Sequence, residues 1–158
     1  MSTGKISDHK FIVDGMLGKL AVRLRMLGFD AAFCRDAEDS FLLRKSREEG
    51  RVLLTRDLSL TKTRGANAFF VPGKTLKDQM RQVIEKFGLK ISAENLFSRC
   101  SVCNEPLQAI PKEKVKGSVP PAVYRISEQF SYCPSCKKYY WKGTHYERII
   151  EELKVFIP

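Results

Sequence analysis

The sequence predicts an α/β fold in which a parallel sheet lies between two layers of helices, followed by a C-terminal zinc ribbon. In residues 1–90, four short apolar segments alternate with segments of helical periodicity. These apolar segments lack polar alternation, which is typical of parallel strands covered on both faces. After residue 90 there is little periodicity, and four cysteines occur in two C-x-x-C pairs. We therefore expect a three-layer α/β/α domain at residues 1–90 and a second module at residues 91–158.

Each predicted element follows from its own residues. The strands are expected where the apolar segments lie, at Lys10–Val13, Ala31–Cys34, Arg51–Thr55 and Ala68–Val71. The helices, of which the third is a short turn or helix, are expected between and after them, at Met16–Leu27, Ser40–Glu49, Leu58–Arg64 and Thr75–Phe87. Glycines follow three of these helices, where a C-terminal cap is expected. In the second module, residues 145–156 return to a helical pattern.

The composition is that of a globular protein. The chain has 158 residues, of which 43% are apolar and 29% are charged, and this excludes the disordered and fibrous classes. It has no apolar run of the ~18–20 residues that cross a membrane, and its N-terminus has no signal-peptide core. We therefore expect a cytoplasmic protein with no membrane partner. The net charge of +10 favours a polyanion such as RNA as partner, and solubility is the alternative explanation.

Three aspartates occupy equivalent places after the predicted strands. Asp14 follows the first strand directly, and Asp36 and Asp57 follow the second and third strands with one residue between. Because parallel strands end at the same edge of a sheet, the three carboxylates are expected to converge there and to bind Mg²⁺ or Mn²⁺. The alternative is that each aspartate only caps the next helix. Asp39, close to Asp36, and Asp78, in the fourth helix, are further acidic candidates.

The first helix offers basic residues beside this acidic site. Lys19 and Arg23 are four residues apart and lie away from the apolar stripe of the helix. Gly15 and Gly18 allow close backbone approach near Asp14. Lys19 and Arg23 are therefore candidates for contact with a phosphate backbone, and a solvated helix face is the alternative.

The cysteine pairs predict a metal site. Two C-x-x-C knuckles separated by 29 residues supply four thiolates, which complete a tetrahedral zinc site: Cys100, Cys103, Cys133 and Cys136. Such a closed shell folds a module and leaves no open position for catalysis. Redox chemistry, disulfides and an iron centre are the alternatives. The fifth cysteine, Cys34, is expected to be a small buried apolar residue.

Basic and aromatic residues are mixed around the second knuckle. Lys137 and Lys138 precede Tyr139, Tyr140 and Trp141. Cations beside aromatic rings suit single-stranded nucleic acid, which they bind through phosphates and stacked bases. The alternative is that the aromatic residues form the core of the small module.

Taken together, these segments resemble the Mut-seven C-terminal ribonuclease family, a PIN-like group of nucleases with a C-terminal zinc ribbon. The resemblance is carried, in order, by FIVDGMLGKLAVRLRMLGFD, RDAED, GRVLLTRD, FSRCSVCNEPL and FSYCPSCKKYYWKGTHYERI. It implies a PIN-like domain with an acidic, metal-dependent ribonuclease site at the sheet edge. Asp14, Asp57, and Asp36 or Asp39 match the family's acidic positions, whereas the fourth acidic position has no clear match.

The sequence thus predicts an endoribonuclease that uses Mg²⁺ or Mn²⁺ to hydrolyse RNA and zinc to fold its ribbon. The unmatched fourth acidic position favours a second hypothesis, a non-catalytic RNA-binding or ribosome-associated adaptor. A phosphoryl-transfer or receiver-like domain is a third hypothesis. The first strand ends in Asp14-Gly15-Met16, without the acidic pair that this third class uses.

Overall fold

The computed structural model of the protein describes residues 8–157. It contains two compact units, Met1–Asn104 and Glu105–Pro158. The first unit extends beyond the boundary at residue 90 that the sequence predicted, because residues 91–104 hydrogen-bond to the α/β domain. The Phe97 amide donates to the Met26 carbonyl at 2.7 Å, and the Asn104 side chain accepts from the Ala31 amide at 3.0 Å.

A parallel sheet of four strands forms the centre of the first unit. Its spatial order is β2-β1-β3-β4, with parallel pairing throughout. Val13, the last residue of β1, pairs with Phe33 on one side and with Leu54 on the other, so these strands end at a common edge. The strands are β1 Lys10–Val13, β2 Asp30–Phe33, β3 Val52–Thr55 and β4 Ala68–Phe70.

Four α-helices cover the two faces of this sheet: α1 Gly18–Met26, α2 Asp39–Glu49, α3 Leu58–Thr61 and α4 Leu76–Phe87. Leu42 of α2 and Leu60 of α3 form a core cluster with Ile12 and Leu53 of the sheet. On the opposite face α1 contacts α4, and the Phe87 ring lies 5.3 Å from that of Phe11. The predicted three-layer α/β/α architecture is therefore confirmed.

The order of the strands marks one place on the sheet edge. The chain runs from β1 to β2 on one side, then returns past β1 to β3 and β4 on the other. After one of two neighbouring strands the chain crosses to one side of the sheet, and after the other it crosses to the opposite side. Such a pair leaves a crevice outside its carboxyl ends, where ligands of open α/β sheets bind. In this unit that crevice lies between β1 and β3.

The second unit is built on an antiparallel sheet in the order β5-β6-β7. One core cluster of this unit contains Val115, Val119 and Phe130, all less than 10% exposed, and Ile149 and Leu153 of its last α-helix are buried as well. A short 3-10 helix at Lys112–Val115 contributes to this core. The other 3-10 helices of the described residues lie at Gly15–Leu17, Ala93–Asn95 and Lys154–Phe156. The remaining elements are β5 Gln108–Ile110, α5 Pro121–Ile126, β6 Phe130–Tyr132, β7 Tyr139–Trp141 and α6 Thr144–Leu153.

No helix within residues 8–157 combines the length and the apolar character that crossing a bilayer requires.

Asp30 anchors a partly buried ion network at the start of β2. Its Oδ1 accepts hydrogen bonds from Arg51 Nη1 at 2.6 Å and from Asn104 Nδ2 at 2.7 Å. Burial by itself raises the pKa of Asp30, but these hydrogen bonds, with the charges of Arg51 and Arg99, outweigh it, and the net pKa lies below the ordinary value of 3.8. The ionised form of Asp30 therefore stabilises the folded chain.

This network makes the stability of the protein depend on pH. Since the folded pKa is lower than the unfolded one, the stabilisation is complete above about pH 5 and is lost as the pH falls through the folded pKa. Asp30→Asn should lose about 1–3 kcal/mol of unfolding free energy at pH 7, because Arg51 loses the more buried of its two carboxylate partners and keeps only Glu49. Urea unfolding at pH 7, 5 and 3 measures both effects. The same acid dependence in wild type and Asp30→Asn would contradict the assignment.

Candidate functional site

Two aspartates are linked through a buried threonine at the β1–β3 crevice. Asp14 Oδ2 accepts from the Thr55 hydroxyl at 2.9 Å, and Asp14 Oδ1 accepts from the Gly15 amide at 2.6 Å. Thr55 is fully buried, and its Oγ1 also accepts from the Asp57 amide at 3.0 Å. One hydroxyl thus ties the residues that follow the two central strands, so Asp14 and Asp57 are close neighbours at the sheet edge.

Asp57 is an exposed residue that caps α3. Its Oδ1 accepts from the Ser59 amide at 2.8 Å and from the Ser59 hydroxyl at 2.6 Å. These bonds, the side-chain one above all, hold the pKa of Asp57 below its usual value, so the carboxylate is fully ionised at neutral pH. Asp14 similarly caps the 3-10 helix Gly15–Leu17 that precedes α1. Both residues therefore cap the helical segment that follows them, and both stand just after the strands that border the crevice.

The turn after β2 packs against Gly15, the residue that follows Asp14. A Cβ atom on Gly15 would lie 2.2 Å from the carbonyl oxygen of Arg35, so only a glycine allows the two backbones to approach this closely. Asp36 follows Arg35 in this turn, and Asp39 begins α2; both are exposed. The predicted close approach at Gly15 is thus present, and it brings the turn that carries Asp36 beside Asp14.

Asp78 lies in the first turn of α4 and takes part in capping that helix. Its Oδ2 accepts from the Thr75 hydroxyl at 2.7 Å, and its Oδ1 lies 3.8 Å from Arg81 Nη1. Asp78 is therefore held by residues of its own helix and of its cap.

The chain after β4 is fixed beside the end of β3. Arg56, next to Asp57, donates to the carbonyls of Val71 and Gly73.

The acidic residues do not form a compact ligand group by themselves. Within residues 8–157, the set of His, Cys, Asp and Glu side chains close enough to hold a metal ion contains the four cysteines and no trio of carboxylates. Asp14 and Asp57 are brought together through Thr55, Asp36 lies in the adjoining turn, and Asp39 and Asp78 begin separate helices.

The two basic candidates of α1 differ in exposure. Lys19 is exposed, whereas Arg23 is partly buried, with Nη1 3.3 Å from Met26 Sδ. A Cβ on Gly18, between the acidic edge and Lys19, would lie 3.0 Å from the Phe33 ring. Of the pair, Lys19 is the one whose side chain is open to solvent.

The four predicted metal ligands do come together. The Sγ atoms of Cys100, Cys103, Cys133 and Cys136 all lie within 4.8 Å of one another. Four thiolates bound to zinc at ~2.3 Å in a tetrahedron would be about 3.8 Å apart. Small side-chain movements would achieve that spacing, and soft thiolate ligands suit zinc. The cysteines can therefore hold a metal ion such as zinc.

The two knuckles share one backbone conformation. The residue after each second cysteine, Asn104 or Lys137, has a positive φ, of 76° and 58° respectively. Each of these residues donates its amide to the carbonyl of the first cysteine of its knuckle at 2.9 Å. In the second knuckle, the Cys136 amide also donates to Cys133 Sγ at 3.3 Å. Both C-x-x-C segments are thus already in one repeated turn that presents two sulfur atoms together.

Of the predicted nucleic-acid contacts in the second unit, the lysines and the tryptophan differ. Lys137 and Lys138 are exposed. Trp141 is partly buried and packs against the core of the unit, as Tyr139 does. The core role that we gave as the alternative for the aromatic residues therefore holds for these two.

Two residues with key contacts escaped the sequence analysis. Thr55 gave no signal beyond its place two residues before Asp57. Arg25, in the last turn of α1, is 4% exposed and donates to the carbonyls of Ala31 at 2.8 Å and of Ser101 at 3.0 Å. In the sequence Arg25 is indistinguishable from the other basic residues of α1, because its partners are backbone carbonyls outside the helix, one of them 76 residues away.

Comparison with known proteins identifies the family. A relative from Homo sapiens, the Exonuclease mut-7 homolog, is 34% identical over 101 residues, which are 60% of this chain. The chain spans 12% of the length of that human protein. The family model of the Mut7-C RNAse domain matches residues 9–153, a range that includes the acidic edge and all four cysteines. Because this match covers nearly the whole chain and agrees with the resemblance carried by its motifs, the protein belongs to the Mut7-C RNAse domain family.

Proposed function

We propose that the protein is an endoribonuclease that hydrolyses RNA with the help of Mg²⁺ or Mn²⁺ bound at the carboxyl edge of a PIN-like domain. Membership of an RNAse domain family supports a nuclease function with RNA as substrate. The observation that carries the proposal is the link from Asp14 through the Thr55 hydroxyl to Asp57. This link stands at the β1–β3 crevice, where ligands of such sheets bind.

The chemistry of these donors fits a hard divalent cation. Carboxylate oxygens are preferred ligands of Mg²⁺ and Mn²⁺. A Mg²⁺ site commonly uses one or two carboxylates, while water and substrate phosphates complete the shell, so a ready-made trio is not required. Asp14 and Asp57 would supply the carboxylates, with Asp36 in the adjoining turn. When bound, such an ion lowers the pKa of a water nucleophile and stabilises the leaving oxygen of a phosphodiester.

The residues of the chain prepare this site. Hydrogen bonds from Gly15 and Thr55 hold both oxygens of Asp14, which fixes the orientation of its carboxylate. Hydrogen bonds from Ser59 hold the Asp57 carboxylate in place and favour its ionised form, because they lower its pKa. Asp14 and Asp57 follow neighbouring strands, so a cation bound between these strand ends would be offset by the negative charge of both residues. Exposed Lys19 follows on α1 and would contact an RNA phosphate.

Further contacts with RNA are assigned to the second unit. The exposed side chains of Lys137 and Lys138, and the +10 net charge of the chain, suit a polyanion. Arg23 and Trp141 remain secondary candidates, since both are partly buried. Location in the cytoplasm remains a prediction from the sequence.

Removing either central carboxylate should abolish cleavage without unfolding the protein. In Asp57→Asn the amide oxygen still accepts both bonds from Ser59, and in Asp14→Asn it keeps one of two bonds while the amide NH₂ group can donate to Thr55 Oγ1. In both variants the negative charge is lost. We expect cleavage of single-stranded RNA with Mn²⁺ to fall by about a hundred- to a thousand-fold, the usual cost of losing an electrostatic group in an active site. The measurement is the initial cleavage rate, and thermal unfolding confirms that the variants are folded.

The assay needs a matched control and a substrate that defines the reaction. Glu113→Gln removes one exposed carboxylate in the second unit and should cleave as the wild type does. A closed circular RNA has no ends, so its cleavage reports endonuclease activity only. Wild-type rates in both aspartate variants would refute the proposed site, and activity confined to linear RNA would show an exonuclease.

The non-catalytic adaptor is the second candidate, because of Asp78. This carboxylate, the acidic residue nearest after β4, is occupied by the Thr75 hydroxyl and lies near Arg81. A domain that lacks a free fourth carboxylate would bind RNA without cutting it. RNA binding that divalent ions leave unchanged, with no cleavage under any metal, would favour the adaptor.

A further inference from the structure

Large apolar side chains are exposed beside both central aspartates. Met16 is 75% exposed and lies in the 3-10 helix that follows Asp14. Leu58 is 53% exposed and begins α3 directly after Asp57. A single exposed apolar residue needs no explanation. Here, however, the two occur in equivalent places, each within two residues of an acidic side chain at the crevice.

The pairing of the strands brings these two places together. β1 and β3 are neighbours in the sheet, and the Asp14 amide donates to the Leu54 carbonyl at 3.0 Å. The 3-10 helix that carries Met16 also contacts β3. Met16 and Leu58 therefore leave the sheet at the same edge, beside the Asp14–Thr55–Asp57 link.

Each apolar residue is followed within four residues by an exposed lysine. Lys19, at the start of α1, lies three residues after Met16, and Lys62, the C-terminal cap of α3, lies four residues after Leu58. The order acid, apolar residue, lysine thus occurs twice, once on each side of the crevice.

We infer that Met16 and Leu58 contact unstacked nucleobases on either side of the cleaved phosphate and thereby select single-stranded RNA. This inference rests on the proposed ribonuclease function. An unpaired nucleotide offers an apolar base face for Met16 or Leu58 and a phosphate for Lys19 or Lys62. A duplex hides its base faces within the stack, so it cannot cover these side chains. The basic charge of the chain also favours an anionic occupant.

The test is a thermodynamic cycle in the inactive Asp14→Asn background, so that the RNA is not consumed. Fluorescence anisotropy gives the Kd for a single-stranded RNA and for the same strand with abasic nucleotides. With Met16 and Leu58 present, we expect the abasic strand to bind about ten-fold more weakly. In the Met16→Ser/Leu58→Ser variant this ratio should fall towards one. Val155→Ser, which removes a side chain that is 61% exposed elsewhere, should keep the ratio.

The ratio separates base contact from a general loss of structure. A merely structural role would weaken binding of both strands equally and leave the ratio unchanged, which would overturn the inference. Equal affinity for single- and double-stranded RNA, or no RNA binding at all, would overturn it as well. The nuclease proposal has its own test: if the wild type does not cleave RNA with Mg²⁺ or Mn²⁺, that proposal is wrong, whatever the binding ratio is.

Discussion

Cys133→Ser is expected to unfold the second unit, Glu105–Pro158. The buried apolar side chains described in this unit include Val115, Val119, Phe130, Ile149 and Leu153, and a unit so small commonly needs a crosslink or a metal to stay folded. Structural zinc contributes about 10–16 kcal/mol of apparent binding free energy in small zinc modules, and this energy is coupled to folding. Losing one of four thiolates should therefore remove both the metal and the fold of the unit.

Trp141 reports this change directly. It is the single tryptophan of the chain and packs against the core of the second unit. Unfolding would expose the indole to water, so Cys133→Ser should shift its fluorescence emission to longer wavelength. Zinc content, measured by release to a colorimetric chelator, should fall from one ion per chain to none.

Cys34→Ala provides the matched control for the loss of a thiol. Cys34 is partly buried and packs against the core cluster of Ile12, Leu42, Leu53 and Leu60. It lies outside the group of four cysteines. Its substitution should leave zinc content and Trp141 emission unchanged. A Cys133→Ser protein that retained zinc and the wild-type emission would exclude the Cys₄ site as the support of this unit.

The α/β domain was predictable because its signals are local. Every strand of the sheet is a run of apolar residues, and each helix has its own periodicity, so the order of elements follows from the sequence. The ends differ by one to three residues, and the largest difference is at the third helix, which ends at Thr61 and not at Arg64. The first helix, for example, starts as the 3-10 helix Gly15–Leu17, because Asp14 caps that turn, and becomes α-helical at Gly18.

The segment between the knuckles was less predictable. The sequence indicated only a hairpin of a ribbon there, yet the segment contains the 3-10 helix Lys112–Val115 and the helix α5, Pro121–Ile126. Both are a single turn or little more, too short for a periodic pattern to emerge. What stabilises them is packing against Phe130, which is a contact between distant residues.

The boundary of the first unit escaped prediction for a related reason. Residues 91–104 have no periodicity, and side-chain hydrogen bonds hold them to the domain. Arg25 donates to the carbonyls of Ser101 and Val102, and Asn104 bonds to Asp30. Bonds between a side chain and a distant backbone leave no trace in a single sequence.

The residues of the candidate site also differ in how far the sequence predicts them. Asp14 and Asp57 could be identified because each follows a recognisable strand. The function of Thr55 could not, since a threonine at the end of a buried strand is ordinary by itself. Its importance arises from the pairing of β1 with β3, which places its hydroxyl against the Asp14 carboxylate.

Gly15→Ala is expected to damage the site more than the fold. The new Cβ would lie 2.2 Å from the Arg35 carbonyl oxygen, and backbone on both sides prevents an easy escape. The turn that carries Asp36 must therefore move away from Asp14. Such overpacking costs about 1–3 kcal/mol of unfolding free energy. A displacement of about 1 Å between groups that act on one substrate reduces a rate by about a hundred-fold.

Gly18→Ala is the control, because it also replaces a glycine near Asp14 but does not displace the turn that carries Asp36. The new Cβ would lie 3.0 Å from the ring of Phe33, and this side chain can shift. Alanine is also a better helix former than glycine. We therefore expect Gly18→Ala to cleave RNA at close to the wild-type rate. Urea unfolding and cleavage of circular RNA, measured on both variants, give the comparison. If Gly15→Ala cleaved as Gly18→Ala does, the close approach of the Asp36 turn to Asp14 would have no part in catalysis, and the site would consist of Asp14 and Asp57 alone.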